Sequence, residues 1–298
     1  MVNSSRDLRR ASGSLHRSRT LTYACFLAPA LILYMLVVII PFFQGIPYSF
    51  TNWQPVKGVK DFIGMRNYVN LFSKTGKVFR KSVLNTFEFT AYFIVLSNVL
   101  GLAMALLVQR SSRLNNLCRT LIFMPYVLSM ITAAFVWRNI YSSIYTPLLG
   151  LPSPLGTKGQ ATFAIAVIAS WRTAGYCMLI YIAGLQGVPS EYYEAASVEG
   201  ANGFQKFTKI TIPMLIPAFS SNISLLLAWG LKVFEVVRAT TKGGPTLNET
   251  TTMSMFVFDN IFANWKAGYG QASAIVMTLI LLVISFLVSG FFRKQEVY

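Results

Sequence analysis

The runs YACFLAPALILYMLVVIIPFF (Tyr23–Phe43) and ASAIVMTLILLVISFLVSGFF (Ala272–Phe292) constrain this chain more than any other feature. A helix of about 20 residues matches the hydrocarbon thickness of a bilayer, and in lipid the backbone must satisfy its own hydrogen bonds. The composition agrees: 12% of residues are charged, against about a quarter in soluble domains. The expected fold class is an all-α membrane protein. The first run is too long for a signal-peptide core of about 7–15 residues and lacks a small-x-small exit, so it reads as a retained span.

Six spans are expected, over Leu21–Phe43, Asn85–Val108, Leu117–Ile140, Thr162–Leu185, Met214–Val236 and Gly270–Phe292. Residues 1–20 form a polar, basic tail, and SSIYTPLLGLPSPLGTKGQ is a Pro/Gly-rich turn between the third and fourth spans. Pro29, Pro41 and Pro125 lie in or at the ends of spans, where they can bend helices. The net charge is +16, but the basic residues are scattered among connections. That pattern belongs to helix ends near anionic lipid and excludes a nucleic-acid-binding domain. Lys and Arg divide almost evenly between the two faces, so charge does not orient the chain, although the tail and the Arg110–Arg119 loop favour the inside. Cys25, Cys118 and Cys177 lie in apolar runs without CxxC spacing, as packing residues would.

One stretch breaks the pattern: EYYEAASVEGANGFQKFTKITIP, Glu191–Pro213. On a helix, Tyr192, Ala195, Ala196 and Glu199 share one face. Gly200 and Gly203 allow a tight turn, a second short helix carries Phe204 and Phe207, and Pro213 marks the start of the fifth span. Geometry alone leaves two readings, a helix resting in the lipid interface and a docking element for a partner.

The order of residues resembles the signature of permease subunits of binding-protein-dependent ABC importers. Glu194-Ala195-Ala196, then an acidic residue before Gly200-Ala201, then Phe204, Phe207, Ile210 and Pro213 follow that signature. Glu199 stands where Asp is usual and Ile212 where Leu is usual. DFIGMRNYVNLF, LIFMPYVLS, SWRTAGYCMLIYIAGLQGVPSEYYEAA and TKGGPTLNETTTMSMFVF extend the resemblance over most of Thr20–Phe292. They are similar to the maltose, glycerol-phosphate and multiple-sugar branch. The resemblance implies one permease domain over residues 21–298 in the bacterial cytoplasmic (inner) membrane, with the termini and the tail cytoplasmic. It implies that residues 191–213 are a coupling helix for an ATPase, with Glu191, Tyr192, Glu194, Ala195, Ala196, Glu199, Gly200, Ala201, Phe204, Phe207 and Pro213 as coupling residues. The partners implied are a second homologous permease, two ATP-binding subunits, an extracytoplasmic solute-binding protein and membrane lipid, with a carbohydrate as substrate.

The residues bear on the energy source independently. No G-x-x-x-x-G-K-[ST] motif occurs, so no cofactor is expected on this chain, and ATP and Mg belong to a partner. An ion-coupled secondary transporter is the alternative, but Glu88 and Glu235 are the carboxylates near spans, both close to expected span ends. His16 is the sole histidine, and no nucleophile–base pair or metal-ligand cluster is evident, so an enzyme is not expected. Polar and aromatic groups within spans mark the candidate substrate path: Asn98, Trp171, Arg172, Tyr176, Asn222 and Trp229. Aromatic faces stack on sugar rings, and amide or guanidinium groups bond hydroxyls. The other reading of each is helix–helix bonding or an interfacial belt, and Arg172 and Lys232 can snorkel to a surface.

Overall fold

The computed structural model describes residues 23, 25–58, 60–245 and 248–293. The basic tail expected over 1–20 lies outside them. The apolar runs form α1 (Cys25–Ser49), α3 (Lys77–Val108), α6 (Ala161–Gln186) and α12 (Ala267–Phe292). Between α1 and α3 lies the short α2 (Arg66–Phe72). Two further spans are bent pairs: α4 (Arg113–Val127) with α5 (Met130–Leu149), at 100°, and α8 (Gly203–Met214) with α9 (Ile216–Gly230), at 59°. The insert helix α7 (Ser190–Val198), then α10 (Glu235–Thr240) and α11 (Met253–Ala263), complete the chain. Among the described residues the fold is thus all-α, with up to six spans if each bent pair counts as one.

Three expected spans need correction. The second begins at Lys77 rather than Asn85, because one face of its first turns, with Phe79 and Ser82, packs on protein while Lys77, Arg80 and Lys81 stay exposed. Phe79 packs with Leu71 of α2 and Phe256 of α11 in a small core of its own. The third is not continuous over Leu117–Ile140: Leu128 and Ser129 are both extended, with ψ of 145° and 150°, one turn past Pro125. The helix then resumes through residues expected to be a turn and ends at Leu149. The fifth stops at Gly230, short of Val236, and begins after a bend at Leu215 beside Pro213 and Pro217. Apolar sequence continues across the breaks at Leu128–Ser129 and Leu215, so backbone geometry rather than hydropathy interrupts the helices there.

The centre of the bundle is α6, which runs along α3 and receives α4 and α9. Its buried positions include Ala164, Ala166, Ala169, Ala174 and Gly175. Small residues let helix backbones approach where lipid supplies no hydrophobic drive for association. A Cβ on Gly175 would lie 2.4 Å from the Ile122 carbonyl oxygen, and one on Gly101 of α3 would lie 2.6 Å from the Cys177 Cβ. By contrast α1 and α12 pack together at the margin, through Gly45 against Gln271, and leave wide apolar faces open to lipid or a partner. At the end of the bundle opposite α7, polar side chains fasten the loops. Asn85 Nδ2 donates to the carbonyls of Asn248 at 3.1 Å and Thr251 at 3.0 Å, and the Met253 N–H donates to Thr86 Oγ1 at 2.9 Å. Asn67 similarly donates to the Ser49 and Thr51 carbonyls, both at 2.8 Å.

Candidate functional site

The insert folds as a helix–turn–helix whose turn is closed by its own backbone. Gly200 adopts φ +78°, a left-handed conformation that favours glycine. The Ala201 N–H donates to the Ala196 carbonyl at 2.8 Å and the Gly200 N–H to the Ser197 carbonyl at 3.1 Å, the bond pair of a Schellman motif. Asn202 then caps α8: its Oδ1 accepts from the Gln205 N–H at 2.9 Å, while Gln205 Oε1 accepts from the Asn202 N–H at 2.8 Å. Two bonds tie the helices across the turn, Tyr193 hydroxyl with Thr211 hydroxyl at 2.9 Å and Lys206 Nζ to Ser197 Oγ at 2.6 Å. Sequence reasoning passed over Tyr193 and the Asn202–Gln205 box, although the N-x-x-Q spacing carries the box.

Exposure sorts the insert. Ala196, Ala201 and Phe207 are half-buried, whereas Glu191, Tyr192, Glu194, Ala195, Glu199, Gly200, Phe204 and Pro213 are exposed. Phe204 at 75% and Val198 at 90% exposed project apolar surface away from the fold. A cleft of about 360 Å³ opens between α7 and α8, lined by Ala196, Glu199, Gly200, Gln205, Lys206 and Lys209 among others. The arrangement can seat against a complementary groove.

A second site lies within the bundle, where α4 breaks into α5. A cavity of about 440 Å³ is walled by Phe89 and Phe93 of α3, Tyr126, Ser129 and Met130 at the break, Arg172 and Thr173 of α6, Trp229 of α9, and Val233 and Glu235 beyond it. Three aromatic rings meet here. Tyr126 stacks on Tyr176 with centroids 5.0 Å apart and planes at 23°, and Trp229 is 5.6 Å from Tyr176 and 6.4 Å from Tyr126. The Arg172 Nε–H donates to the Leu128 carbonyl at 2.7 Å, and its guanidinium carbon is 5.0 Å from the Tyr126 ring centre. An adjoining recess of about 300 Å³ adds Lys232 beside Trp229 and Glu235. Aromatic faces with a few polar groups can hold a pyranose ring and bond its hydroxyls.

The expected path residues divide. Arg172 and Trp229 line this cavity, and Tyr176 forms part of its aromatic cluster. Trp171 turns from it to meet Trp137, with centroids 5.7 Å apart. Asn98 and Asn222 are buried in helix packing: Asn98 Oδ1 accepts from the Tyr181 hydroxyl, and Asn222 Nδ2 reaches the Cys177 carbonyl at 3.4 Å. Asn98 Nδ2 donates to the Ile94 carbonyl of its own helix, and Asn222 Oδ1 has no hydrogen-bond partner among the described residues. Tyr126, Ser129 and Glu235 were not singled out as path residues, and only the break in the third span brings Tyr126 and Ser129 to the cavity.

Membrane-length helices, one span broken at an aromatic cavity, and a self-capped helical hairpin at one end together describe a membrane transport subunit. The family model described as "Binding-protein-dependent transport system inner membrane component" matches residues 97–296, and the chain belongs to that family. It is 33% identical over 285 residues to the probable starch degradation products transport system permease protein AmyD of Thermoanaerobacterium thermosulfurigenes, covering 92% of this chain and 95% of the relative. It is 32% identical over 279 residues to the multiple sugar-binding transport system permease protein MsmF of Streptococcus mutans, covering 91% and 95%. Among solved structures, a bacterial ABC transporter involved in import of the acidic polysaccharide alginate superposes with a TM-score of 0.80 over 96% of this chain and 99% of that chain. Its sequence identity is 21%, so the likeness is one of fold.

Proposed function

We propose that this chain is the permease subunit of an ATP-driven importer for a carbohydrate. It forms the path with a second, homologous permease and receives substrate from an extracytoplasmic binding protein. Two ATP-binding subunits, which hold the ATP and Mg, dock on the insert from the cytoplasm, and the termini lie on that same side. The observation that carries the reading is the pairing of an exposed, rigidly capped hairpin with an aromatic cavity at the break between α4 and α5. Permease relatives named for starch degradation products, multiple sugars and trehalose/maltose support the substrate class.

In the mechanism, closure of the ATPase pair pushes on Glu191–Lys209, with the exposed Tyr192, Glu194 and Phe204 as the contact surface. Because α8 continues through the bend at Leu215 into α9, a push on the hairpin is transmitted to Trp229 at the cavity. The cavity then alternates between the two sides, and Tyr126, Tyr176 and Trp229 supply the stacking faces. Ion coupling has weaker support: Glu88 is on the exposed side of α3, and Glu235 lies at the start of α10.

The direct test is Glu194→Lys and Gly200→Pro in the assembled, reconstituted complex. Glu194→Lys should leave assembly near wild type, whereas Gly200→Pro reshapes the turn, because proline can neither adopt φ +78° nor donate to the Ser197 carbonyl. Each should cut sugar-stimulated ATP hydrolysis per assembled complex by about tenfold or more, a loss of at least ~1.4 kcal/mol of coupling. Normal assembly with full stimulation in both variants would refute the coupling role.

A further inference from the structure

A helix that breaks at membrane depth leaves carbonyls and N–H groups that nothing in lipid can satisfy. At the break between α4 and α5 part of this is repaired locally. Ser129 Oγ accepts from the Thr132 N–H at 3.1 Å and so caps α5, and the Leu128 N–H donates to the Pro125 carbonyl at 3.2 Å. The Leu128 carbonyl is satisfied from another helix, by Arg172 Nε at 2.7 Å. The same guanidinium faces the Tyr126 ring at 5.0 Å, and Tyr126 stacks on Tyr176. Three residues along α6, Gly175 admits the Ile122 backbone of α4. One side chain therefore contacts both the break and the aromatic wall of the cavity. Its interactions are charge-assisted, which makes them stronger than neutral bonds and directional.

We propose that Arg172 is a positioning residue for transport. By holding the Leu128 carbonyl and the Tyr126 ring together, it fixes the angle of α5 on α4 and presents the Tyr126–Tyr176 face to the substrate. This rests on the sugar-permease reading for its second half, while the first half concerns the break alone. A snorkelling arginine would leave its head group to interfacial water, whereas Arg172 is half-buried and its Nε donor is held on the Leu128 carbonyl.

Two measurements on the assembled complex in nanodiscs test it. For the first, C25A, C118A and C177A clear the native thiols, and nitroxides are attached through L121C and F135C, exposed positions on α4 and α5. The distance distribution should be narrow with Arg172, at least twice as wide in R172A, and narrow again in R172K, which restores a charged donor. The second is a double-mutant cycle of R172A with Y126L, read as the half-saturating concentration for whichever of maltose, trehalose or maltotriose the wild type takes up best. Each single variant should raise it by up to about tenfold, the range that one aromatic contact can supply. The double variant should rise no further, because the two residues act as one unit. An unchanged distance distribution in R172A, no rescue by R172K, or strictly additive effects would overturn the proposal. Should R172A fail to assemble, R172M, which keeps most of the side-chain volume without a donor, takes its place in both measurements with the same expected outcomes. A wild type that moves none of the three sugars counts against the transport reading alone, because the distance measurement needs no sugar.

Discussion

The chain is interrupted twice at points that matter, and the two interruptions are completed in opposite ways. At Glu199–Asn202 the gap between α7 and α8 is closed by residues within a few positions of it: Gly200 in the left-handed region, the Ala201–Ala196 bond, and the reciprocal Asn202–Gln205 cap. At Leu128–Ser129 the gap between α4 and α5 is closed locally only in part, and the Leu128 carbonyl is satisfied by Arg172, 44 residues away in sequence. A locally closed turn keeps its shape as it is pressed by a partner, which suits a coupling element. A break completed by another helix changes when those helices move, which suits the wall of a transport cavity.

The comparison can be broken most severely at Gly175. Gly175→Leu forces the Ile122 backbone of α4 off α6, and overpacking of this kind costs about 1–3 kcal/mol or more. The complex should melt several degrees lower with the α4–α5 angle disturbed, while crosslinks within the insert, between positions 197 and 206, stay at wild-type yield. Loss of both together would mean that the insert is not independent.

Next in size is Asn85→Ala. It removes both bonds to the 248–251 loop, and an unsatisfied group there costs about 1–3 kcal/mol. Protease nicking of that loop should rise, with the insert again unaffected. Trp229→Ala should then weaken sugar uptake by up to about tenfold through lost stacking, visible in the half-saturating concentration with little change in basal ATP hydrolysis.

The smallest effects sharpen the local side of the comparison. Asn202→Ala removes the cap of α8 and should cost about 1 kcal/mol. Tyr193→Phe removes one hydroxyl bond to Thr211, worth roughly 0.5–1.5 kcal/mol. Each should speed amide exchange in residues 193–211 without altering exchange at Tyr126 or Trp229. Changes that spread to the cavity would show that the insert is not closed by its own residues.

The apolar runs over Tyr23–Phe43 and Ala272–Phe292, and the glycine and cap residues of the insert, act on neighbours in sequence. The sequence alone therefore determined a helical membrane protein, and the hairpin with its turn at Gly200. It also pointed to Arg172, Tyr176 and Trp229, because polar groups at membrane depth are costly on a lipid face and aromatic faces suit sugar rings. Tertiary structure decided the rest. Pro125 hinted at a bend, yet no residue pattern separates Leu128–Ser129 from the apolar residues around it. Asn98 and Asn222 have the chemistry of substrate ligands, and only their packing against Tyr181 and the Cys177 carbonyl assigns them to helix contacts. The physical reason is range: capping and hydropathy are set within a few residues or one helix length. The face a side chain turns to, and the distant group that completes a broken helix, exist only once α3, α4, α6 and α9 have packed.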